Sequence, residues 1–184
     1  MARVKGTAVV ASIRYVQETF GSAVVDSIVS ALPDEDRKAV GGSVLVSMWY
    51  PMGAFLHLMQ EAERQLRERD PEVVRKLGRA SADYSLTTVY KIFFKVGSPE
   101  FIISKAARVF GSFYDTGKVV PVESVPGRAV FDLVDFEGAP QFCSRIWGWM
   151  ERTLELAGAK NVRVVHPECL HRGDRRCRFE GAWK

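Results

Sequence analysis

The chain has 184 residues, of which 47% are hydrophobic and 26% charged, and it contains three cysteines. This composition is typical of a globular domain with a buried core, and it excludes a disordered or disulfide-rich protein. Membrane spans need roughly 18 consecutive apolar residues, and no run of that length is present. Ser12 and Arg14 interrupt the apolar stretch near the N-terminus, which argues against a secretory signal. We therefore expect a cytoplasmic protein without a membrane partner.

The net charge of +4 is concentrated at the C-terminal end of the chain. Residues 160–184 contain seven basic and three acidic residues, which accounts for the whole excess. We find no recognition helix and no platform of aromatic and basic residues, so nucleic-acid binding is not expected. The sequence also lacks a nucleophile elbow, a phosphate-binding glycine loop and a dinucleotide fingerprint. We expect a protein without catalytic activity.

The N-terminal half is predicted to be helical. Apolar residues recur at helical spacing in residues 15–32 and again in residues 51–69. Asp70-Pro71-Glu72 and Ser98-Pro99-Glu100 each combine an N-cap side chain, a proline and an acidic residue, which is typical of a helix start. Residues 83–95 are rich in aromatic and β-branched side chains. We assign them to a helix because a continuous packed layer would follow.

The C-terminal part is predicted to form a sheet and one covering helix. Residues 119–125 read as a strand, and Pro121 places that strand at a sheet edge. Pro126-Gly127 predicts a turn, and the alternation in residues 129–134 predicts a half-buried strand. Pro140 can begin a helix that Gly158 ends. Two more strands are expected from residues 162–166 and 177–183.

These elements predict an α+β fold in one domain of residues 1–184. The N-terminal helices would pack on a four-stranded antiparallel sheet. We divide the chain into a helical N-terminal part, residues 1–80, and a core domain, residues 84–184, that carries the candidate metal site.

The spacing C-x22-H-x2-C-x7-C joins Cys143, His166, Cys169 and Cys177. Three cysteines and one histidine are a ligand set of structural zinc sites. Strand alternation places His166 and Cys177 on the face that the helices cover. Cys143 lies near a helix N-terminus, where the helix dipole favours a thiolate. We predict a closed zinc site that ties the last helix to the terminal hairpin.

Other interpretations of this cluster stay open at the sequence level. Glu168 and His171 are alternative fourth ligands. A Cys169–Cys177 disulfide is possible but would leave Cys143 unpaired, and buried thiols without a metal are common. Positive charge near the cysteines is expected to favour thiolates. It comes from Arg172, Arg175, Arg176 and Arg178.

The C-terminal segment also carries a family resemblance. The residues concerned are Gly148-Trp149-Met150-Glu151-Arg152, Leu156-Ala157-Gly158-Ala159, Cys169, Gly173-Asp174, Cys177-Arg178-Phe179 and Trp183. This segment resembles the 4-vinyl reductase domain family, which is similar to haem-nitric-oxide-binding (H-NOX) domains and to TRAPP vesicle-tethering subunits. The whole chain also resembles a paralogous family of myxobacterial proteins built on this domain.

The resemblance implies a set of metal ligands. The 4-vinyl reductase family includes sensor domains of aromatic-responsive bacterial transcription activators. Those domains hold zinc with three cysteines and one acidic residue, beside a pocket for phenols or similar aromatics. Cys143, Cys169 and Cys177 match the three cysteines, and His166 stands at the position of the acidic ligand. The implied cofactor is a structural Zn²⁺.

The resemblance also implies an apolar pocket between helices and sheet. The polar pair that grips a phenol hydroxyl is not found, so the expected ligand is a small apolar or aromatic molecule. We expect His57 to be a core or interface histidine rather than a haem ligand, although it could supply a polar group. The candidate lining residues are Phe94, Phe110, Phe113 and Phe131, with Trp49 and Tyr90 as further polar groups.

Two functions follow as expectations. The first is a sensor that binds a small molecule and signals to a separate protein, because no helix-turn-helix, ATPase or kinase segment is present. The second is a TRAPP-like dimeric scaffold with a filled core. A homodimer through the apolar N-terminal helices is expected for either function.

Overall fold

The protein is described by a computed structural model over residues 1–88 and 98–184, with the side chains of residues 87 and 88 left aside. Helices pack against a four-stranded antiparallel sheet, and a two-stranded ribbon lies near the N-terminus. The prediction of an α+β fold is confirmed. The phenylalanine and tyrosine predicted to line a pocket at positions 94 and 90 lie outside the described residues.

Helices make up most of the described N-terminal half and also occur in the C-terminal half. They are α1 (Gly6–Phe20), α2 (Ser22–Ser30), α3 (Asp34–Val40), α4 (Met52–Leu66), α5 (Val73–Thr88), α6 (Pro99–Ser104), α7 (Ala106–Phe113) and α8 (Pro140–Leu156). The start predicted at Ser98-Pro99 is confirmed, since the Ser98 side chain accepts a hydrogen bond from the Phe101 N–H. None of the described helices is both long and apolar enough to cross a membrane.

The apolar stripe predicted over residues 15–32 is divided between two helices. Gly21, with a φ of 96°, separates α1 from α2, and residues with a side chain disfavour this conformation. A second break lies at Lys105, between α6 and α7, where φ is −106°. Helical spacing identified the buried Val16, Ile28 and Leu32, but it also included Ala23 and Phe101, which are exposed. It did not show these breaks, because the apolar period continues across them.

The sheet has the strand order β3-β4-β6-β5, and all neighbouring strands are antiparallel. Its strands are β3 (Lys118–Val125), β4 (Arg128–Val134), β5 (Arg163–Glu168) and β6 (Cys177–Ala182), while β1 (Arg3–Lys5) pairs with β2 (Trp49–Pro51) in the ribbon. Pro121 lies in the edge strand β3, as predicted. Gly127, with a φ of 79°, forms the predicted turn between β3 and β4.

Strand β4 differs from the half-buried strand that its alternation predicts. Its residues are buried on both faces, including Val130 and Asp132. The reason is its central place between β3 and β6, where Arg178 covers the outer face. Asp132 accepts hydrogen bonds from Arg178 Nε at 2.7 Å and Nη2 at 2.9 Å. Arg176 Nη1 adds a longer contact of 3.5 Å.

We expect the Asp132 carboxylate to make stability depend on acidity. The hydrogen bonds from Arg178, with the charges of Arg178 and Arg176, hold the pKa of Asp132 below its usual value of 3.8 despite partial burial. A pKa that is lower in the folded state gives stabilisation at neutral pH, which is lost as the pH falls below about 4. Asp132→Asn should therefore lower the free energy of unfolding by about 2 kcal/mol at pH 7. In urea titrations that difference should shrink at pH 3, and an equal difference at both pH values would contradict this role.

Helices α5 and α8 approach each other closely enough to exclude side chains at two positions. A Cβ atom at Gly78 would lie 1.9 Å from the carbonyl oxygen of Arg145, and one at Gly148 would lie 1.9 Å from that of Arg75. Ion pairs flank this contact. They join Arg75 to Glu151, Arg79 to Glu155 and Arg152 to Asp83. The glycine contact fixes α8 against the helical layer, and α8 in turn carries residues of the candidate site.

Candidate functional site

The four predicted metal ligands lie together where α8 meets the β5–β6 hairpin. Cys143 is in the first turn of α8, His166 is on β5, Cys169 follows β5, and Cys177 begins β6. One ligand atom from each residue can be chosen so that all four lie within 4.8 Å of one another. All three cysteines are buried. Residues up to 34 positions apart along the chain thus converge on one small volume.

The connection between β5 and β6 positions Cys169 opposite Cys177. The pairing register shifts between Val165 and Glu168, and a short 3-10 helix follows at Leu170–Arg172. The Cys169 N–H donates to the Asp174 carboxylate at 2.7 Å. Gly173 has a φ of 90°, which lets the chain turn back into β6.

The distances between the sulfurs match those of a tetrahedral site. Cys143 Sγ lies 3.6 Å from Cys177 Sγ, and Cys169 Sγ lies 3.9 Å from each of the other two. Zinc–sulfur bonds of about 2.3 Å in tetrahedral geometry place two sulfurs about 3.8 Å apart. The same distances exclude a Cys169–Cys177 disulfide in this structure, because bonded sulfurs are about 2.05 Å apart.

His166 supplies a nitrogen with the properties of a ligand. Its ring stacks on Phe179, with centroids 4.2 Å apart and planes 3° apart. The Nε2 atom is buried and has no hydrogen-bond partner among the described residues. Burial, with the nearby charge of Arg172, lowers the pKa of His166 to about 4. The imidazole is therefore neutral at physiological pH, which is the form that binds metals.

The thiols behave differently from the prediction. Burial is the main cause of a raised pKa at Cys143 and Cys177, and neighbouring thiols add to it at Cys143. At these two thiols burial outweighs the thiolate-favouring effect expected of the arginines. Arg176 pairs with Glu168 and Asp132, and Arg178 pairs with Asp132, so much of their charge is compensated. A bound cation would provide the positive charge that three buried thiolates need.

The alternative fourth ligands lie outside the cluster. The Glu168 carboxylate accepts a hydrogen bond from Arg176 Nε at 2.9 Å. His171 is exposed and lies edge-on to the Phe136 ring. Of the histidine and acidic candidates, the cluster includes His166.

A cavity of about 60 Å³ lies between the helices and the sheet. It is bounded by α6 and α7, by α8 and by the inner face of the sheet. Its described lining is aliphatic and aromatic apart from the Met150 thioether and the Thr153 hydroxyl. Residues of the lining include Ile102, Ile103, Phe110, Phe131, Trp149 and Phe179.

The predicted pocket residues are distributed unevenly around this cavity. Phe110 and Phe131 line it, whereas Phe113 lines a smaller adjoining cavity. Trp49 lies elsewhere, on β2, where Lys5 Nζ stands 4.5 Å from the centre of its ring. His57 also lies outside both cavities, with its Nδ1 hydrogen-bonded to Asp36 at 2.5 Å.

Sequence analysis missed Arg145, the most deeply buried charged residue among those that the structure describes. It is 1% exposed and lines the smaller cavity. Its position gives a signal that could have found it. Arg145 stands three residues after Phe142 and four before Trp149, on the apolar stripe of α8, where a surface arginine is not expected.

Comparisons with known proteins identify the architecture. No protein-family model and no curated protein matches the chain significantly. Solved structures do match. An unliganded Fe(II) H-NOX protein from K. algicida has a TM-score of 0.75 and 13% identity, covering 98% of this chain and 96% of that one. An H-NOX protein from S. oneidensis in the Fe(II)NO state has a TM-score of 0.75 and 12% identity, covering 98% and 99%.

A third match comes from work on haem distortion in the H-NOX family. It has a TM-score of 0.71 and 12% identity, and it covers 98% of this chain and 95% of the other. The coverage is nearly complete in both directions, so the likeness concerns the whole described fold and not one motif. At these identities the likeness establishes the fold alone, and the chain is an α+β protein with the H-NOX fold.

Proposed function

We propose that the chain is a non-catalytic sensor domain of the 4-vinyl reductase type, in which a structural zinc holds the C-terminal hairpin and a cavity binds a small apolar molecule. The observation that carries the proposal is the apolar cavity between α7, α8 and the sheet. Cavities of this kind, enclosed by aliphatic and aromatic side chains, are the usual form of small-molecule sites. A partner protein would recognise the ligand-bound form of the domain.

The zinc part of the proposal is supported by the geometry of the cluster. The sulfur distances, the unpaired Nε2 of His166 and the burial of all three cysteines fit a closed four-ligand site. Such a site leaves no coordination position for a substrate, and it is therefore structural. Zinc would join α8 to the hairpin that forms one wall of the cavity.

The described lining of the cavity offers few groups that could hold the haem suggested by the structural neighbours. The three histidines are His57, His166 and His171, and none of them lines the cavity. Among the described residues the lining also contains no cysteine or tyrosine that could bind iron, and Met150 is its one sulfur-bearing residue. We therefore propose a different class of occupant.

The size of the cavity limits what can bind. Its volume of about 60 Å³ is well below the roughly 300–1,000 Å³ of typical small-molecule sites. An occupant must therefore be small, or it must displace α6 and α7 from the sheet. Such a displacement is how binding would be transmitted to the surface. We propose that α7 moves when the ligand binds, and that its exposed side carries this change to the surface.

We expect toluene and indole to enter this cavity. Methyl NMR of isoleucine-labelled protein should show shifts at Ile102, Ile103 and Ile146, which line it, and none at Ile28, which is buried in α2. Ala106→Phe should abolish the shifts, because Ala106 lines the cavity and a phenylalanine side chain at this position would fill it.

Ala107→Phe is the matched control, since it adds the same ring at an exposed neighbouring position. It should leave the shifts unchanged. Equal shifts at Ile28, or an unchanged response in Ala106→Phe, would contradict ligand binding at this site. A dimer that binds neither compound would favour the scaffold function instead.

The homodimer and the cytoplasmic location stay predictions from the sequence. Among the described residues, the large apolar side chains that are most exposed lie outside α1 and α2. They include Leu45 and Met48 before β2, Val120 and Val122 on β3, and Phe101 on α6. These positions, in addition to the N-terminal helices, are where contacts with a second copy or a partner should be sought.

A further inference from the structure

The side chain of Arg145 is buried without a negatively charged partner. Its Nη1 donates to the Tyr114 hydroxyl at 2.5 Å, and its Nη2 donates to the Ser81 hydroxyl at 2.6 Å. The guanidinium carbon lies 5.1 Å from the centre of the Phe55 ring. The Nε atom is buried and has no hydrogen-bond partner among the described residues. Both oxygen partners are neutral groups.

Arg145 is an exception on this pair of helices. Arg75, Arg79 and Arg152 each form an ion pair with a carboxylate across the contact between α5 and α8. Arg145 forms none with any described residue, and residues 89–97 contain no aspartate or glutamate. An uncompensated buried charge costs several kcal/mol. The chain therefore retains a costly group.

The guanidinium faces a cavity that adjoins the apolar one. Arg145, Ser81 and Tyr114 line a space of about 20 Å³. Phe110, Ile146 and Trp149 line both this space and the larger cavity. The space with the positive charge thus lies beside the larger apolar cavity, and the two have three lining residues in common.

We propose that Arg145, Ser81 and Tyr114 bind the carboxylate of a monocarboxylic acid whose apolar tail occupies the larger cavity. This inference rests on the proposed function of that cavity and specifies its ligand class. A carboxylate would accept hydrogen bonds from Nε and an Nη of the guanidinium in the two-pronged geometry that arginine favours. One carboxylate neutralises one guanidinium, whereas a doubly charged phosphate would leave excess negative charge in a buried site.

The test compares octanoate with 1-octanol, which share a chain length and differ in the head group. The measurement is the dissociation constant from shifts of the Ile102, Ile103 and Ile146 methyls. Wild-type protein should bind octanoate at least about tenfold more tightly than octanol, since charge-assisted hydrogen bonds exceed neutral ones. Arg145→Met should lose this preference while still binding octanol. Arg145→Lys should keep part of it, because the charge remains but the planar fork is lost.

Arg152→Met serves as the matched control, since Arg152 is on the same helix but is partly exposed and paired with Asp83. It should retain the preference for octanoate. If octanol binds and octanoate binds no better in the wild type, or if Arg145→Met keeps the preference, the inference is overturned while the proposed function stands. If neither compound shifts the three methyls although toluene does, the inference is likewise overturned. If toluene and indole also fail to shift them, the proposed function itself fails. The wild-type comparison decides the question even if Arg145→Met does not fold.

Discussion

Replacing Cys177 with serine is expected to abolish zinc binding and to lower the melting temperature by about 10 °C. Cys177 Sγ is central to the cluster, at 3.6 Å from Cys143 Sγ and 3.9 Å from Cys169 Sγ. A serine hydroxyl is a far weaker zinc ligand than a thiolate, so α8 would no longer be joined to β6. Zinc content measured by native mass spectrometry and melting followed by circular dichroism give the two readouts.

The two histidines of the hairpin provide the control for this experiment. His166→Ala should lose zinc affinity, because its buried Nε2 has no other partner in the described structure. His171→Ala should keep full zinc content, since that ring is exposed and outside the cluster. A strong chelator should destabilise the wild type and His171→Ala, but not Cys177→Ser. Full zinc occupancy in Cys177→Ser, or equal loss in both histidine variants, would show that the ligand set is wrong.

Gly148→Ala is expected to destabilise the protein by about 3 kcal/mol. The new Cβ would lie 1.9 Å from the Arg75 carbonyl oxygen and 2.8 Å from the carbonyl carbon. Backbone atoms cannot rotate away as a side chain can, so α5 and α8 would have to separate. Separation would also strain the ion pairs that flank the contact. Urea unfolding gives the change in free energy, and Gly78→Ala should have a similar effect for the same reason.

Gly111→Ala is the matched control for the helix contact. Gly111 lies in α7, and a Cβ atom there would meet nothing within 4 Å. Alanine is the better helix former, so this variant should gain about 0.5–1 kcal/mol. Both substitutions add the same methyl group, but Gly148→Ala should lower the free energy of unfolding and Gly111→Ala should raise it. If Gly148→Ala costs less than about 1 kcal/mol, the two helices are not in the close contact described here.

The meeting of the four metal-site residues could be predicted because local rules fix their directions. Strand alternation places His166 and Cys177 on the inner face, and Pro140 sets the start of the helix that carries Cys143. These rules require only short-range information. The binding of zinc by these residues is still a prediction, to be decided by the measurements above.

The cavity was harder to predict because its walls come from separate elements. The sequence favours large aromatic side chains as lining residues, yet much of the lining is aliphatic, as at Ile102, Ile103 and Val164. Which apolar side chains face a void depends on how α7 rests on the sheet, and no local spacing encodes that. The burial of Asp132 was missed for a related reason, since it depends on the neighbouring strand β6 and its Arg178.

The order of the sheet has a consequence for aggregation. Both outer strands carry a proline and an irregular register, at Pro121 in β3 and at Pro167 in β5. Proline has no N–H to donate, and a bulge disrupts pairing, so neither edge is a good template for a strand from another copy. Strand β6 contains no proline and is shielded by β5. Anything that detaches β5 would expose an edge able to nucleate intermolecular sheets.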